Sequence, residues 1–218
     1  MSISSLRISG RFWTTQGTGH LTGMPQWFIR TSGCSVKCPI RDVCDEPDSL
    51  SHQTGDVIDV EQLADEALSE VGRGGWIHIT GGEPCEQVEG LTRLGIELDR
   101  RDLRVHLQTS GTLTVPIRTD WITVSPKVAA ADLTWTWGQE MIVVYDPRFV
   151  TVGMLLDYSS TTRFYDYYLC PLWVDRQSLT YDGSGANTQD TFDLVKSLNK
   201  AGHRWRLTGQ FHKYQGVR

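Results

Sequence analysis

The chain has 218 residues, a formal net charge of −5 and five cysteines. That length supports one domain, expected over residues 1–218, and leaves little for a second. The acidic balance argues against a nucleic-acid partner, no apolar run approaches the ~20 residues of a membrane span, and an odd cysteine count is no secreted disulfide framework. Met1-Ser2-Ile3-Ser4-Ser5-Leu6 lacks a long apolar stretch, so no secretory leader is expected and a reducing cytoplasm is the expected location.

Residues 6–14 and 26–31 read as strands flanking the polar, glycine-rich turn Gln16 to Gly23, which taken alone is an ordinary hairpin connection. The second strand runs into a loop, residues 33–46, that carries Cys34, Cys38 and Cys44. Thiolates suit zinc and iron–sulfur clusters. A structural zinc wants four protein ligands, whereas a four-iron cluster on three cysteines keeps one iron open. Cys85 and Cys170 lie far along the chain and are expected to be buried thiols. On spacing alone, a zinc loop and free thiols remain open alternatives.

Beyond a polar segment (Asp48 to Asp56), the spacing of Val60, Leu63, Ala64, Ala67, Leu68 and Val71 predicts a helix over 59–72, with Asp59 as its cap and Gly72 just beyond its end. Strand 76–79 leads to Thr80-Gly81-Gly82-Glu83-Pro84. Its glycines let backbone approach a ligand, and its glutamate can accept from an ammonium; a tight loop is the plainer alternative. A helix over 86–100, strand 104–108 with the turn Thr109-Ser110-Gly111-Thr112, and strand 121–124 with Ser125-Pro126-Lys127 follow. Strands 140–145 and 166–170, a loop from Asp175 to Asp190, helix 190–202 and strand 205–208 complete the chain. Alternating strands and helices make an α/β class, and polar turns at the strands' C-terminal ends mark the edge where such folds bind ligands.

The three-cysteine loop and the Gly-Gly-Glu-Pro turn together resemble the radical S-adenosylmethionine (SAM) enzymes. Gln16-Gly17-Thr18-Gly19, Phe28-Ile29-Arg30, Gln108-Thr109-Ser110-Gly111-Thr112, Ser125-Pro126-Lys127 and the terminal His212-Lys213-Tyr214-Gln215-Gly216-Val217-Arg218 narrow the resemblance to the 7-carboxy-7-deazaguanine synthase family. It implies a partial, incomplete TIM-like barrel with parallel strands, a [4Fe-4S] cluster on Cys34, Cys38 and Cys44, and SAM at Gly81, Gly82, Glu83, Ser110 and Ser125. It also implies a pterin substrate at Gln16, Thr18, Arg30, Thr80 and His212, with Arg218 ending the chain where the family uses its terminal carboxylate. Mg²⁺ near Glu46, a flavodoxin or ferredoxin as electron donor, and a homodimer are further implications. In that family, reductive cleavage of SAM yields a radical that abstracts hydrogen from 6-carboxy-5,6,7,8-tetrahydropterin; the ring contracts, ammonia leaves and SAM is regenerated.

The chain departs from that pattern at several positions. Thr18 stands where the family has glutamate, and the second cysteine gap, from Cys38 to Cys44, is longer than usual. Glu46 stands where threonine is usual; it is either an improved ligand for a hard cation or a solvated loop acid. Ile142 replaces a lysine and Cys170 a glutamine. A paralogue acting on a related pterin or purine, and a non-catalytic cluster- or zinc-binding protein, are the alternatives.

Overall fold

The fold is a computed structural model describing residues 4–173 and 187–216, in which nine strands form one sheet. β1 (Ser5–Thr15) and β2 (Pro25–Thr31) pair antiparallel, with Phe12 opposite Phe28. β3 (Asp56–Asp59) lies antiparallel on the outer side of β1. From β2 onward every neighbour is parallel, through β4 (Trp76–Gly81), β5 (Arg104–Thr109), β6 (Trp121–Val124), β7 (Trp137–Tyr145), β8 (Arg163–Pro171) and β9 (Trp205–Leu207). The α/β class with a mostly parallel sheet therefore holds. Its first strand is the exception, because a hairpin-length turn cannot house the crossover that parallel pairing needs. β3 and β9 are the two edges, so the sheet is open.

Side-chain alternation divides the sheet into two faces. On β4, Ile77 and Ile79 enter a hydrophobic core with Leu107, Val124, Val143 and Leu169 of neighbouring strands. α1 (Val60–Val71), α2 (Val88–Arg100), α3 (Val152–Thr161) and α4 (Thr188–Lys200) cover that face with Leu63, Leu94, Leu155 and Leu198. α1 starts as expected at Asp59, whose carboxylate accepts from the Glu61 and Gln62 amides at 2.9 and 3.3 Å. The opposite face carries Thr80, Gln108, Ser125, Ile142 and Cys170, all lining one cavity, so the sheet is concave there. No helix among the described residues is long and apolar enough to cross a membrane.

Ahead of the C-terminal segment, two elements differ from the sequence expectation outright. β3 begins where the polar segment ends and reaches the first residue of the expected helix, and α3 fills the unassigned stretch between the strands at 140–145 and 166–170. The helix expected over 86–100 begins at Val88, because Pro84–Glu86 first makes a 3₁₀ turn. Most of the loop expected from Asp175 to Asp190 lies outside the described residues, and Thr188 to Asp190 already belong to α4.

Candidate active site

The cysteine loop leaves β2 and is stitched to the turn after β4. Gly33 N donates to Ser49 O at 2.9 Å, Cys34 N to Leu50 O at 3.2 Å, and Glu83 N to Gly33 O at 2.9 Å. The long gap between Cys38 and Cys44 coils into a 3₁₀ turn over Arg41–Val43, where Cys44 N donates to Arg41 O at 3.1 Å. Arg41 Nη1 reaches back to Cys34 O at 3.0 Å, closing the loop on itself. All three cysteines are free, half-buried and on the wall of the cavity. Burial pushes the Cys34 and Cys44 thiols above their ordinary range. Among the described residues, no three His, Cys, Asp or Glu side chains converge where a single ion would sit.

Gly81 and Gly82 answer to a packing need nearer than a ligand. A Cβ on Gly81 (φ +124°) would strike the Thr31 backbone, and one on Gly82 would strike the carbonyls of Gly33 and Ser49. The glycines thus let the turn after β4 close against the cysteine loop. Glu83 is buried, and its carboxylate is filled from within the fold. It accepts from Thr109 Oγ1 at 2.7 Å, Ser110 N at 2.8 Å, Ser110 Oγ at 2.5 Å and Cys85 N at 3.1 Å. Its first role is therefore to lock the turns after β4 and β5 together.

Lys127 was not singled out by sequence reasoning as a site residue, although it closes the Ser125-Pro126-Lys127 block. Its ammonium donates to Ser125 O at 2.8 Å and Ser125 Oγ at 2.6 Å. Burial lowers its pKa, against the pull of Cys38, Asp45, Cys44 and Glu83 around it. Among the described residues no carboxylate forms an ion pair with it. It is a half-buried cation on the wall that also carries the three thiols.

Arg30 and Glu46 form an ion pair with each other. Burial pushes the Glu46 carboxyl up to about 7; Arg30 opposes that shift and the adjacent Asp45 adds to it. Surrounding protein opposes ionisation of the half-exposed Asp45, but Lys213, 3.0 Å away, holds its carboxyl below the usual range. Lys213 belongs to α5 (Phe211–Gln215) and, with Gln210, brings the C-terminal segment over the cysteine loop. Glu46, Thr18 and Thr80 line the cavity, as do Gly81, Gly82, Glu83, Ser110 and Ser125. Gln16, Arg30 and His212 lie behind that wall. Gln16 Nε2 donates to Thr18 O at 2.9 Å, and the His212 ring packs so closely on Gly17 that a Cβ there would overlap it. Arg218 lies outside the described residues. Ile142 and Cys170 are on the cavity wall as well, so with Thr18 and Glu46 four departures from the family pattern face whatever binds. Cys85 and Cys170 are buried, and burial pushes both thiols up to about 12.

A three-cysteine cluster fits this donor set. Three free thiols on one cavity wall are the donor type and number for a cluster with one open iron, whereas a structural zinc wants a fourth protein ligand. Lys127 supplies positive charge from the same wall toward a thiolate-rich group.

No protein-family model matches the chain. Curated relatives do. The 7-carboxy-7-deazaguanine synthase of Bacteroides thetaiotaomicron is 31% identical over 97% of this chain and 98% of its own length. The enzyme of that name from Synechocystis is 30% identical over 98% and 94%, and that from Escherichia coli 31% over 96% and 98%. The crystal structure of QueE from Escherichia coli superposes with a TM-score of 0.66 over 95% of each chain at 24% identity, which speaks for the fold. With relatives of one name matched from end to end, this chain belongs to the 7-carboxy-7-deazaguanine synthase family.

Proposed function

We propose that the protein is a radical SAM lyase that converts 6-carboxy-5,6,7,8-tetrahydropterin to 7-carboxy-7-deazaguanine with loss of ammonia, a step of queuosine-type 7-deazapurine biosynthesis. The observation that carries this reading is the single cavity joining Cys34, Cys38 and Cys44 to the glycine turn after β4, the serine turn after β5 and Lys127.

Cys34, Cys38 and Cys44 would hold the [4Fe-4S] cluster, and Gly81, Gly82, Ser110 and Ser125 would border SAM. Cluster and SAM together supply the hydrogen-abstracting radical chemistry. Glu83 acts one step back, fixing Ser110 by two hydrogen bonds. Lys127 would offset negative charge on the cluster or on the SAM carboxylate. Thr18 and Thr80 offer hydroxyls that donate or accept at a pterin ring edge, without the ionic pairing a glutamate would give. Arg30 would take the substrate carboxylate through its guanidinium fork, and Glu46, its present partner, is the oxygen donor that would hold Mg²⁺. Gln16 and His212 shape the turn that carries Thr18, and Arg218 would supply the terminal carboxylate. A flavodoxin- or ferredoxin-type donor, a homodimer and a cytoplasmic location complete the proposal.

The test is anaerobic reconstitution followed by incubation with SAM, dithionite, Mg²⁺ and 6-carboxytetrahydropterin, with products followed by mass spectrometry. Multiple-turnover formation of 7-carboxy-7-deazaguanine, abolished in Cys44→Ala, is the expected outcome. SAM cleavage without deazaguanine would transfer the assignment to a related pterin or purine, a reading favoured by Ile142 and Cys170 on the cavity wall. One zinc per chain in place of about four irons and four sulfides would end both.

A further inference from the structure

The turn Gln16 to Gly23 is held from beneath by a residue that does not line the cavity. Glu140 on β7 is fully buried, two positions along the strand from Ile142 of the cavity wall. Its Oε2 accepts from the His20 amide at 2.8 Å. Gly19 (φ +74°) passes so close to the same carboxyl that a Cβ there would collide with both of its oxygens. The other side of the turn is tied down independently: Gly19 N donates to Thr208 Oγ1 at 2.9 Å and Phe211 N to Gly17 O at 2.8 Å. Thr18, which faces the cavity, thus lies between two anchored glycines.

Glu140 also ends a buried polar chain. Its Oε1 lies 2.6 Å from Thr123 Oγ1, which lies 2.8 Å from His106 Nε2, while His106 Nδ1 lies 3.1 Å from Gln26 Oε1. All four side chains are buried, and among the described residues no lysine or arginine forms an ion pair with Glu140. A core holding a carboxyl without a cation loses stability relative to an apolar one, so the group's presence calls for another reason. Thr123 Oγ1 donates to Glu140 Oε1, and the His106 ring is held between Thr123 and Gln26. Burial raises the Glu140 pKa, against the pull of the His20 amide and the Thr123 hydroxyl.

We propose that Glu140 is a positioning residue that clamps Gly19 and His20 by hydrogen bonding, and so sets where Thr18 meets the substrate. The substrate half of this statement rests on the pterin reading above; the clamp itself does not. Glutamine can accept from the His20 amide and keep a hydrogen bond to Thr123, whose hydroxyl can donate or accept, whereas leucine fills the space and makes neither.

The test compares Glu140→Gln, Glu140→Leu and Gly19→Ala, the last pressing on the clamp from the turn side in case the leucine variant does not fold. Amide hydrogen exchange of residues 17–22, read on the metal-free chain, is expected to quicken about tenfold in Glu140→Leu and Gly19→Ala and to stay at the wild-type rate in Glu140→Gln. In the reconstituted enzyme, KM for the pterin is expected to rise about tenfold in the first two variants, with substrate-free SAM cleavage unchanged. Unchanged exchange in both Glu140→Leu and Gly19→Ala, or loss of protection in Glu140→Gln equal to that in Glu140→Leu, would overturn the clamp. If wild type makes no deazaguanine, the pterin reading fails while the exchange result still decides the clamp.

Discussion

Lys127 and Glu83 serve the cavity in opposite ways, the first at a cost to the fold and the second by holding it together. A half-buried ammonium hydrogen-bonded only to serine oxygens is poorly compensated, since the water it loses is not fully replaced by two neutral acceptors. Lys127→Met is therefore expected to leave the metal-free chain as stable as wild type or more so, by about 1 kcal/mol, while SAM affinity falls at least about tenfold. Urea unfolding and SAM binding, measured side by side, check this. A variant that loses stability and keeps SAM affinity would reduce Lys127 to a scaffold residue. Glu83 is the opposite case, because its donors are already in place. Glu83→Ala strands the Thr109 hydroxyl and the Ser110 amide and hydroxyl, for an expected loss of about 3 kcal/mol, with Glu83→Gln losing about 1. Equal stability of the two variants by urea unfolding would refute that account.

At the scale of elements, three adjacent strands share an aromatic ladder across the floor of the concave face. Phe28 of β2, His78 of β4 and His106 of β5 stand in register, with ring centroids 4.1 and 3.9 Å apart. Burial, with each histidine near the other, drives the His78 pKa well below its ordinary value, and burial alone takes His106 to about 3. Both are neutral in the fold and protonate more readily when unfolded, so acid favours the unfolded chain. Their contribution is complete above about pH 6.5 and is lost progressively as pH falls below it, for His106 down to about pH 3. The loss runs at about 1.4 kcal/mol per pH unit for each histidine while it titrates in the unfolded chain alone. Urea unfolding of the metal-free chain at pH 7.5 and 5 is expected to show that loss, and His78→Phe to remove roughly half of it. An undiminished slope in His78→Phe would rule the stack out as its source.

The same strands show what the sequence makes legible. The alternation of Ile77 and Ile79 with His78 identifies β4 and its two faces, and Asp59 with Gly72 brackets α1, because those signals are local. β3 escapes because Asp56-Val57-Ile58-Asp59 is a polar edge strand with Ile58 alone buried. α3 escapes because its run of Ser159, Ser160 and Thr161 blurs a face that buries just Leu155 and Tyr158. In the cavity, the three cysteines and the glycine turn are readable as short motifs. The Arg30–Glu46 pair, the Lys213–Asp45 pair and the Glu140 clamp depend on how distant strands register, which no spacing in the chain reports.

At the scale of the whole molecule, the beginning and the end of the chain meet over the cavity. Phe211 and Thr208 hold the turn between β1 and β2, His212 packs on Gly17, and Lys213 with Gln210 grips Asp45 of the cysteine loop. The hydrophobic core, by contrast, is complete by Trp205. Stability and substrate closure are thus carried by separate stretches of one fold. Deleting residues 211–218 should therefore leave the cooperative unfolding transition intact, with a loss of about 1–2 kcal/mol from the removed polar contacts. Cluster content and substrate-free SAM cleavage should persist, because the three cysteines, the glycine turn and Lys127 lie outside the deleted segment. Pterin turnover should fall at least about a hundredfold, since the turn bearing Thr18 and the Asp45 side of the cavity both lose a wall. A truncated protein that turns over pterin at the wild-type rate would show that the terminal segment covers the cavity without shaping it. One that no longer binds iron would show instead that the Lys213–Asp45 bridge is needed to form the cysteine loop.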